Sequence, residues 1–194
     1  TEGFFVDIGA GTGGLPTHTP GFYSNTYYFE VFKNWKGIAI DYDTKWWMNV
    51  NKARSAKCLC VDLLEVSINE VLDKWSCPTE IDYLSIDVDD AQIKVFNDFD
   101  FDKYKFKVLT LEHNLFQSDP NCGQNRTEEH RKNILKDHAY YREVLSKHGY
   151  KLLWGNVCLD GYGPVEDWFV DEETFEKNKN IQKEYANCLE TMNI

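Results

Sequence analysis

The chain has no apolar run approaching a membrane span and no signal-peptide pattern at its start, so its sequence gives no sign of a bilayer anchor or a secretory leader. Positive charge is scarce: 21 Lys and Arg stand against 32 Asp and Glu, a formal net charge of −11. That balance argues against the phosphate-neutralising surface of a nucleic-acid-binding protein. The six cysteines contain no C-x-x-C pair, and no clustered thiols and histidines suit zinc. A reducing, cytoplasmic location is the expectation from this usage, with disulfides left open by the even count. Repeats, low-complexity tracts and linkers are also missing, so residues 1–194 read as one domain. The chain enters a strand almost at once, the start expected of a domain cut from a longer protein.

What is present describes a globular α/β chain. Hydrophobic residues make up 42% and charged residues 27%, enough for one sizeable core. Apolar, β-rich runs predict strands near 3–8, 36–41, 57–61, 81–87 and 106–112. Helical patterns fall near 25–34, 44–54, 66–75, 91–98 and 128–148, the last with Ile134, Leu135, Tyr141, Val144 and Leu145 at helical spacing and Gly149 as its C-cap. Strands alternating with helices imply βαβ units and a mainly parallel, doubly wound sheet. Near-continuous runs such as Gly37-Ile38-Ala39-Ile40 suit strands buried on both faces. Residues 150–154 and 167–170 predict a hairpin-like pair, followed by a polar C-terminal helix. Cys58 and Cys60 share one strand face and read as small core residues.

The richest signal is Phe4-Phe5-Val6-Asp7-Ile8-Gly9-Ala10-Gly11-Thr12-Gly13, a buried strand running into a glycine turn. Glycines there let a cofactor lie against bare backbone. Gly9, Gly11 and Gly14 also satisfy the dinucleotide pattern G-x-G-x-x-G. A dinucleotide site needs a helix opening from the turn, and Pro16, Pro20 and Gly21 oppose one. Asp7, before the glycines, is placed to attract an ammonium group. The stretch is similar to motif I of S-adenosylmethionine (SAM) methyltransferases, whose cofactor carries an α-amino group and no phosphate.

Further carboxylates punctuate the other strand exits: Asp41 and Asp43, Asp62, Asp87 with Asp89 and Asp90, then Glu112-His113-Asn114. Singly each reads as a turn former or cap. Together, like charges at one sheet edge call for a cationic or hydroxyl-rich ligand. Asp41 is suited to ribose hydroxyls, Asp62 to an exocyclic amine, and Asp7 to the positive end of a methionine moiety.

Several segments, in order, resemble FkbM-type SAM-dependent methyltransferases: 5–11, Ser24-Asn25-Thr26, 35–41, 81–89, 108–114 and 148–152. The resemblance implies a Rossmann-like class I methyltransferase fold, a seven-stranded sheet with one antiparallel strand near the C-terminus. It implies a cofactor site of Asp7, Gly9, Ala10, Gly11, Ser24, Asn25, Thr26, Asp41, Tyr42, Asp62, Leu63 and Asp87. It also implies O-methylation, commonly of hydroxyls of sugars, polyketides and related secondary metabolites. The missing start and small size suit a module fused to other glycan-building domains, and the acidic charge and the lack of a long apolar run argue against nucleic-acid and membrane partners. Two departures stand out: the long segment from Thr12 to Tyr23, readable as a lid, and Asp89-Asp90-Ala91-Gln92 where members often carry Glu-Gly-Ala-Glu.

Methyl transfer to a sugar hydroxyl needs an aligned nucleophile and somewhere for its proton to go. His113 is the single-residue base, oriented by Glu112 or Asp87; the alternative is a packed histidine at a strand end. A second route uses Asp87, Glu112 and Asn114 as hard ligands for magnesium or manganese. Strand parity favours it by setting Glu112 and Asn114 on one side and His113 on the other. Missing are the Asn/Asp-Pro-Pro-Tyr/Phe loop of amino-methylating enzymes and a Pro-Cys nucleophile. Trp46, Trp47, Trp154, Tyr162 and Trp168 are candidates for stacking on a sugar, and His18 and Tyr23 for closing over it. Other readings left open are methylation of a non-sugar metabolite, a non-catalytic SAM-binding domain and an NAD-linked oxidoreductase.

Overall fold

The computed structural model describes residues 2–11, 24–44, 54–159 and 163–192, which form two compact units, 1–112 and 113–194. The expected helix at 44–54, the Thr12–Tyr23 segment with His18 and Tyr23, and Trp46, Trp47 and Tyr162 lie outside the described residues.

In the first unit the chain runs β1 (Phe4–Ile8), α1 (Tyr27–Lys33), β2 (Lys36–Asp41), β3 (Lys57–Cys60), α2 (Ile68–Lys74), β4 (Glu80–Ile86), α3 (Gln92–Asp98) and β5 (Lys105–Glu112). The strands are parallel and ordered β3-β2-β1-β4-β5. The chain steps outward from β1 to β3 and then returns to β4, so the order reverses between β1 and β4. That switch point is where an open parallel sheet leaves a crevice at its carboxyl edge. Phe5, Val6 and Ile8 are fully buried, as are Ala39, Ile81 and Leu84. Strands this apolar on both faces are stable only when covered on both sides, which the βαβ crossovers supply. Helix α2 shows how locally the sequence decides. The Ser67 hydroxyl caps it by accepting from the Asn69 N–H, and Ile68, Val71 and Leu72 form its buried stripe. Cys58 is buried as expected, but Cys60 is exposed: β3 is the last strand of this order and ends there, with the thiol facing the Tyr42 carbonyl.

The second unit contains a 3₁₀ turn (Leu115–Ser118), α4 (Glu128–Lys147), β6 (Tyr150–Leu159), β7 (Gly163–Asp171), α5 (Glu172–Lys177) and α6 (Lys179–Met192). Thr127 caps α4 through its hydroxyl, and Gly149 follows the helix at φ +80, the left-handed exit that favours glycine. Strands β6 and β7 pair antiparallel from Tyr150↔Asp171 to Leu159↔Gly163, with bulges on the way. They are longer than the hairpin expected from apolar content, and the C-terminal helix is divided into α5 and α6 by Asn178. Leu135, expected on the apolar face of α4, is exposed. All told, the described residues hold seven strands in a mixed α/β fold. Among them no helix is long and apolar enough to cross a membrane.

Candidate functional site

The start of the glycine turn after β1 is fixed by backbone hydrogen bonds. The Gly9 and Ala10 N–H groups both donate to the Ile40 carbonyl at 3.0 and 3.1 Å, and the Asp87 N–H donates to the Ile8 carbonyl at 2.9 Å. Gly9 sits at φ +75, and a Cβ there would stand 1.5 Å from the Asp87 carbonyl oxygen, so no other residue fits. Gly11 donates its N–H to Asp41 Oδ2 at 3.1 Å, while Asp41 Oδ1 accepts from the Asp43 N–H at 2.9 Å. The exits of β1, β2 and β4 are thereby locked together.

Above them opens a cavity of about 640 Å³, within the usual range for a small-ligand cleft. Of the residues expected to hold a cofactor, it brings together Gly9, Gly11, Asp41, Tyr42, Asp62, Leu63 and Asp87. Its named walls carry four aspartates (Asp41, Asp62, Asp87 and Asp89) and no lysine, arginine or histidine. Asp62 is set by its own turn, accepting from the Leu64 N–H at 2.8 Å, and Leu63 beside it is buried. Tyr42, 75% exposed, stands at the rim. This donor-poor, acceptor-rich lining suits a ligand bearing hydroxyls, an amine or a positive charge, and repels a pyrophosphate.

Asp7, Ala10, Ser24, Asn25 and Thr26 are not among the lining residues. Asp7 is buried, and its Oδ2 accepts from Thr26 Oγ1 at 2.6 Å and Ser24 Oγ at 3.2 Å. Behind those hydroxyls lies Arg54, also buried, whose Nη2 and Nη1 donate to Thr26 Oγ1 and Ser24 Oγ at 2.8 and 3.0 Å. Arg54 Nε donates to Glu30 at 2.7 Å and Nη1 lies 3.7 Å from Asp7. Burial pushes the Asp7 carboxyl above its ordinary value, partly opposed by Thr26 and Arg54. The expected ammonium partner is instead spent inside the protein, holding the Ser24–Thr26 turn. Asn25 ties the same turn to β4 by donating to Ser85 Oγ at 2.9 Å.

The catalytic expectations are also redistributed. Strand β5 ends at Glu112 and Asn114 is left-handed at φ +50, so strand parity does not extend to Asn114. His113 is buried in the second unit, where its Nδ1 accepts from the Leu115 N–H at 3.1 Å. That fixes the proton on Nε2, which lies 3.3 Å from Asp167 Oδ1 without hydrogen-bond alignment. A base must present a free nitrogen, and both of these are turned inward. His113 faces Asp167 and, ring to ring at 4.4 Å, His138. Burial lowers the His113 pKa, with Asp167 acting against it. Of the expected catalytic residues, Asp87 alone lines the cavity.

Asp167 was not anticipated. Its Oδ2 accepts from Arg142 Nε at 2.7 Å and lies 3.2 Å from His138 Nε2; its Oδ1 accepts from Arg142 Nη2 and the Asn156 N–H, both at 2.8 Å. Burial would raise this carboxyl, but these donors outweigh it and hold it far below the usual carboxylate range. His113, His138 and Asp167 place ligand atoms within 4.8 Å of one another, a spacing open to a metal. The Arg142 fork already occupies both carboxylate oxygens and its charge opposes a cation, so the cluster fits an arginine-satisfied carboxylate better than a metal centre. Trp154 and Trp168 pack edge to face on each other at 5.4 Å, and the Trp168 indole donates to Glu166.

The parallel order with its acid-rimmed crevice at the switch point is the core of the class I methyltransferase fold. Residues 61–152 match the methyltransferase FkbM domain. Among solved structures, fibrillarin of Methanococcus jannaschii, a pre-rRNA processing protein, is similar at 15% identity over 88% of this chain and 67% of that one, TM-score 0.51. A fibrillarin/Nop5p complex matches at 14% identity over 87% and 71%, TM-score 0.50. A TehB-like SAM-dependent methyltransferase from Corynebacterium glutamicum matches at 11% identity over 87% and 80%, TM-score 0.48. A comparison with curated protein sequences finds no match. Domain match and fold together support a SAM-dependent methyltransferase.

Proposed function

We propose that the chain is a SAM-dependent O-methyltransferase acting on a hydroxyl of a sugar or glycan, as one module of a glycan-building protein. The observation that carries the cofactor assignment is the cavity wall: among the described residues, four aspartates and no cationic side chain around a glycine turn. The donor set fits SAM. Asp41 keeps lone pairs for a ribose diol, Asp62 for an exocyclic amine, and the summed negative field favours a sulfonium. When bound, SAM supplies a methyl group already activated for attack by oxygen.

The protein's own part is to orient the acceptor and take its proton. Asp87 is exposed in the cavity wall and is the group we assign to that proton, in place of His113. The sugar acceptor rests on the FkbM domain match and on the acidic charge that disfavours nucleic acid.

Calorimetry with SAM, S-adenosylhomocysteine and NAD tests the cofactor, and a mass-shift screen of sugar, glycan and non-sugar hydroxyl acceptors tests the reaction. The expected result is binding of SAM, none of NAD, and methylation of a sugar. NAD binding in place of SAM would overturn the reading. SAM binding without turnover on any acceptor would make the chain a non-catalytic SAM-binding domain. Turnover abolished by a chelator and restored by magnesium would move the chemistry to a metal-assisted route.

A further inference from the structure

The wall of the cavity between Asp87 and Val95 is an unusual piece of backbone. Val88 leads into a 3₁₀ turn, Asp89–Ala91, whose first residue is left-handed at φ +46, and Asp87, Val88, Asp89 and Ala91 all face the cavity. A non-glycine residue at positive φ costs on the order of 1 kcal/mol and needs surroundings that hold it.

One buried side chain joins this wall to two strand ends. Gln92, 6% exposed, accepts the Val88 N–H on Oε1 at 3.2 Å. Its Nε2 donates to the Ile86 carbonyl at 3.4 Å and to the Glu112 carbonyl at the end of β5. The orientation of the amide is fixed by its partners, because a flip would set oxygen against two carbonyls and an N–H against an N–H. A glutamate of the same shape could keep the Val88 bond, but when ionised it has no proton to give either carbonyl.

We propose that Gln92 is a positioning residue for the cofactor cavity: its amide bolts the Asp87–Ala91 wall to the ends of β4 and β5 and so sets where Asp87 stands. This rests on the SAM reading for its effect on binding, and on backbone geometry alone for its effect on the wall. In this chain both carbonyls are met by the amide's donor, at a position where members of the resembling family often carry Glu, so the wall as it stands here depends on the departure to Gln.

The test compares wild type with Gln92→Glu and Gln92→Met in two measurements. Amide exchange at Val88, read without any ligand, is expected to speed up about tenfold in Gln92→Met, while Leu145 in α4 serves as the unchanged reference. The SAM dissociation constant of Gln92→Glu relative to wild type is expected to be about tenfold weaker at pH 8. Burial and the carboxylates of Asp87, Asp89 and Glu112, on the segments it touches, raise the pKa of the introduced Glu, so protonation at pH 5 restores one donor and the ratio falls towards one. A merely structural role predicts the same loss at both pH values. Unchanged Val88 exchange in Gln92→Met, or a Gln92→Glu ratio that does not move with pH, overturns the proposal. Should wild type fail to bind SAM, the cofactor reading falls, and Val88 exchange alone decides for or against Gln92.

Discussion

Each unit of this protein sets an arginine against buried carboxylate, but the charge ratio differs, and with it the direction in which the acids titrate. In the first unit Arg54 faces two buried carboxylates. Glu30 takes its Nε and is held below its ordinary value, although burial alone would raise it, while Asp7 hydrogen-bonds to the Ser24 and Thr26 hydroxyls, meets the guanidinium only at 3.7 Å, and is raised. In the second unit Arg142 and two histidines face one carboxylate, and Asp167 is pushed far down. Burial acts upward on all three acids; the donors each one directly receives decide the outcome. A carboxylate one hydroxyl removed from its cation does not recover its desolvation.

The largest effect should come from breaking the first knot. Arg54→Met leaves Glu30 and Asp7 buried without a cation and should cost about 3–5 kcal/mol near pH 7, measured by urea unfolding. The sign with pH is specific. Carboxyls raised in the folded state bind more protons there than in the unfolded chain, so stability falls as pH rises through their folded pKa and returns on acidification. Arg54→Met should therefore be relatively more stable at pH 5 than at pH 8. A variant equally weakened at both would show that the two acids are not the seat of the loss.

Asp167→Asn should follow, at about 2–3 kcal/mol, less because Arg142 is a third exposed and can turn to water. Here the pH sign reverses. A depressed carboxyl stabilises above its unfolded pKa of about 3.9, and that contribution disappears as pH falls below it. The variant should lose the acid-side decline of wild type while being weaker at pH 7. An unchanged acid limb would mean that Asp167 is not the group titrating in it.

The two knots also differ in how well the sequence announced them. Glycine spacing, the acidic strand exits and the apolar runs were legible because each is a local requirement: Gly9 must avoid the Asp87 carbonyl, and Phe5 and Val6 must be covered. Seven of the expected cofactor residues meet in one cavity for that reason. Arg54 and Glu30 were not legible. Helix α1 buries Glu30 and turns Tyr28 and Phe32 outward, the reverse of the usual amphipathic rule, because Arg54 reaches in from a distant segment. Asp167 did leave a trace. It alternates with Val165 and Phe169 on the buried face of β7, and His138, Tyr141 and Leu145 repeat at helical spacing on α4. A charged residue in register with core residues on one element, and a histidine in register on the other, together marked the buried cluster. The catalytic reading of His113 missed it because a strand-end histidine looks the same from the sequence whether its ring faces a ligand or a neighbouring carboxylate.

The smallest expected effect sharpens the comparison most, since it separates the histidine from the acid it faces. Neutral His113 accepts from Leu115 on Nδ1 and turns Nε2–H towards Asp167; protonating it would set an N–H against the Leu115 N–H. Its lowered pKa means that the unfolded chain takes up the proton first, near pH 6.5. The contribution to stability is present above that pH and is lost as pH falls towards the folded value, with a slope of at most about 1.4 kcal/mol per pH unit. His113→Gln supplies an acceptor for Leu115 and a donor towards Asp167 but does not titrate. It should cost less than about 1 kcal/mol at pH 8 and flatten the stability profile just below pH 6.5, while leaving any methyl transfer in place. If turnover vanished with stability intact, His113 would be the base after all, and the inward turn of its ring would have to open during the reaction.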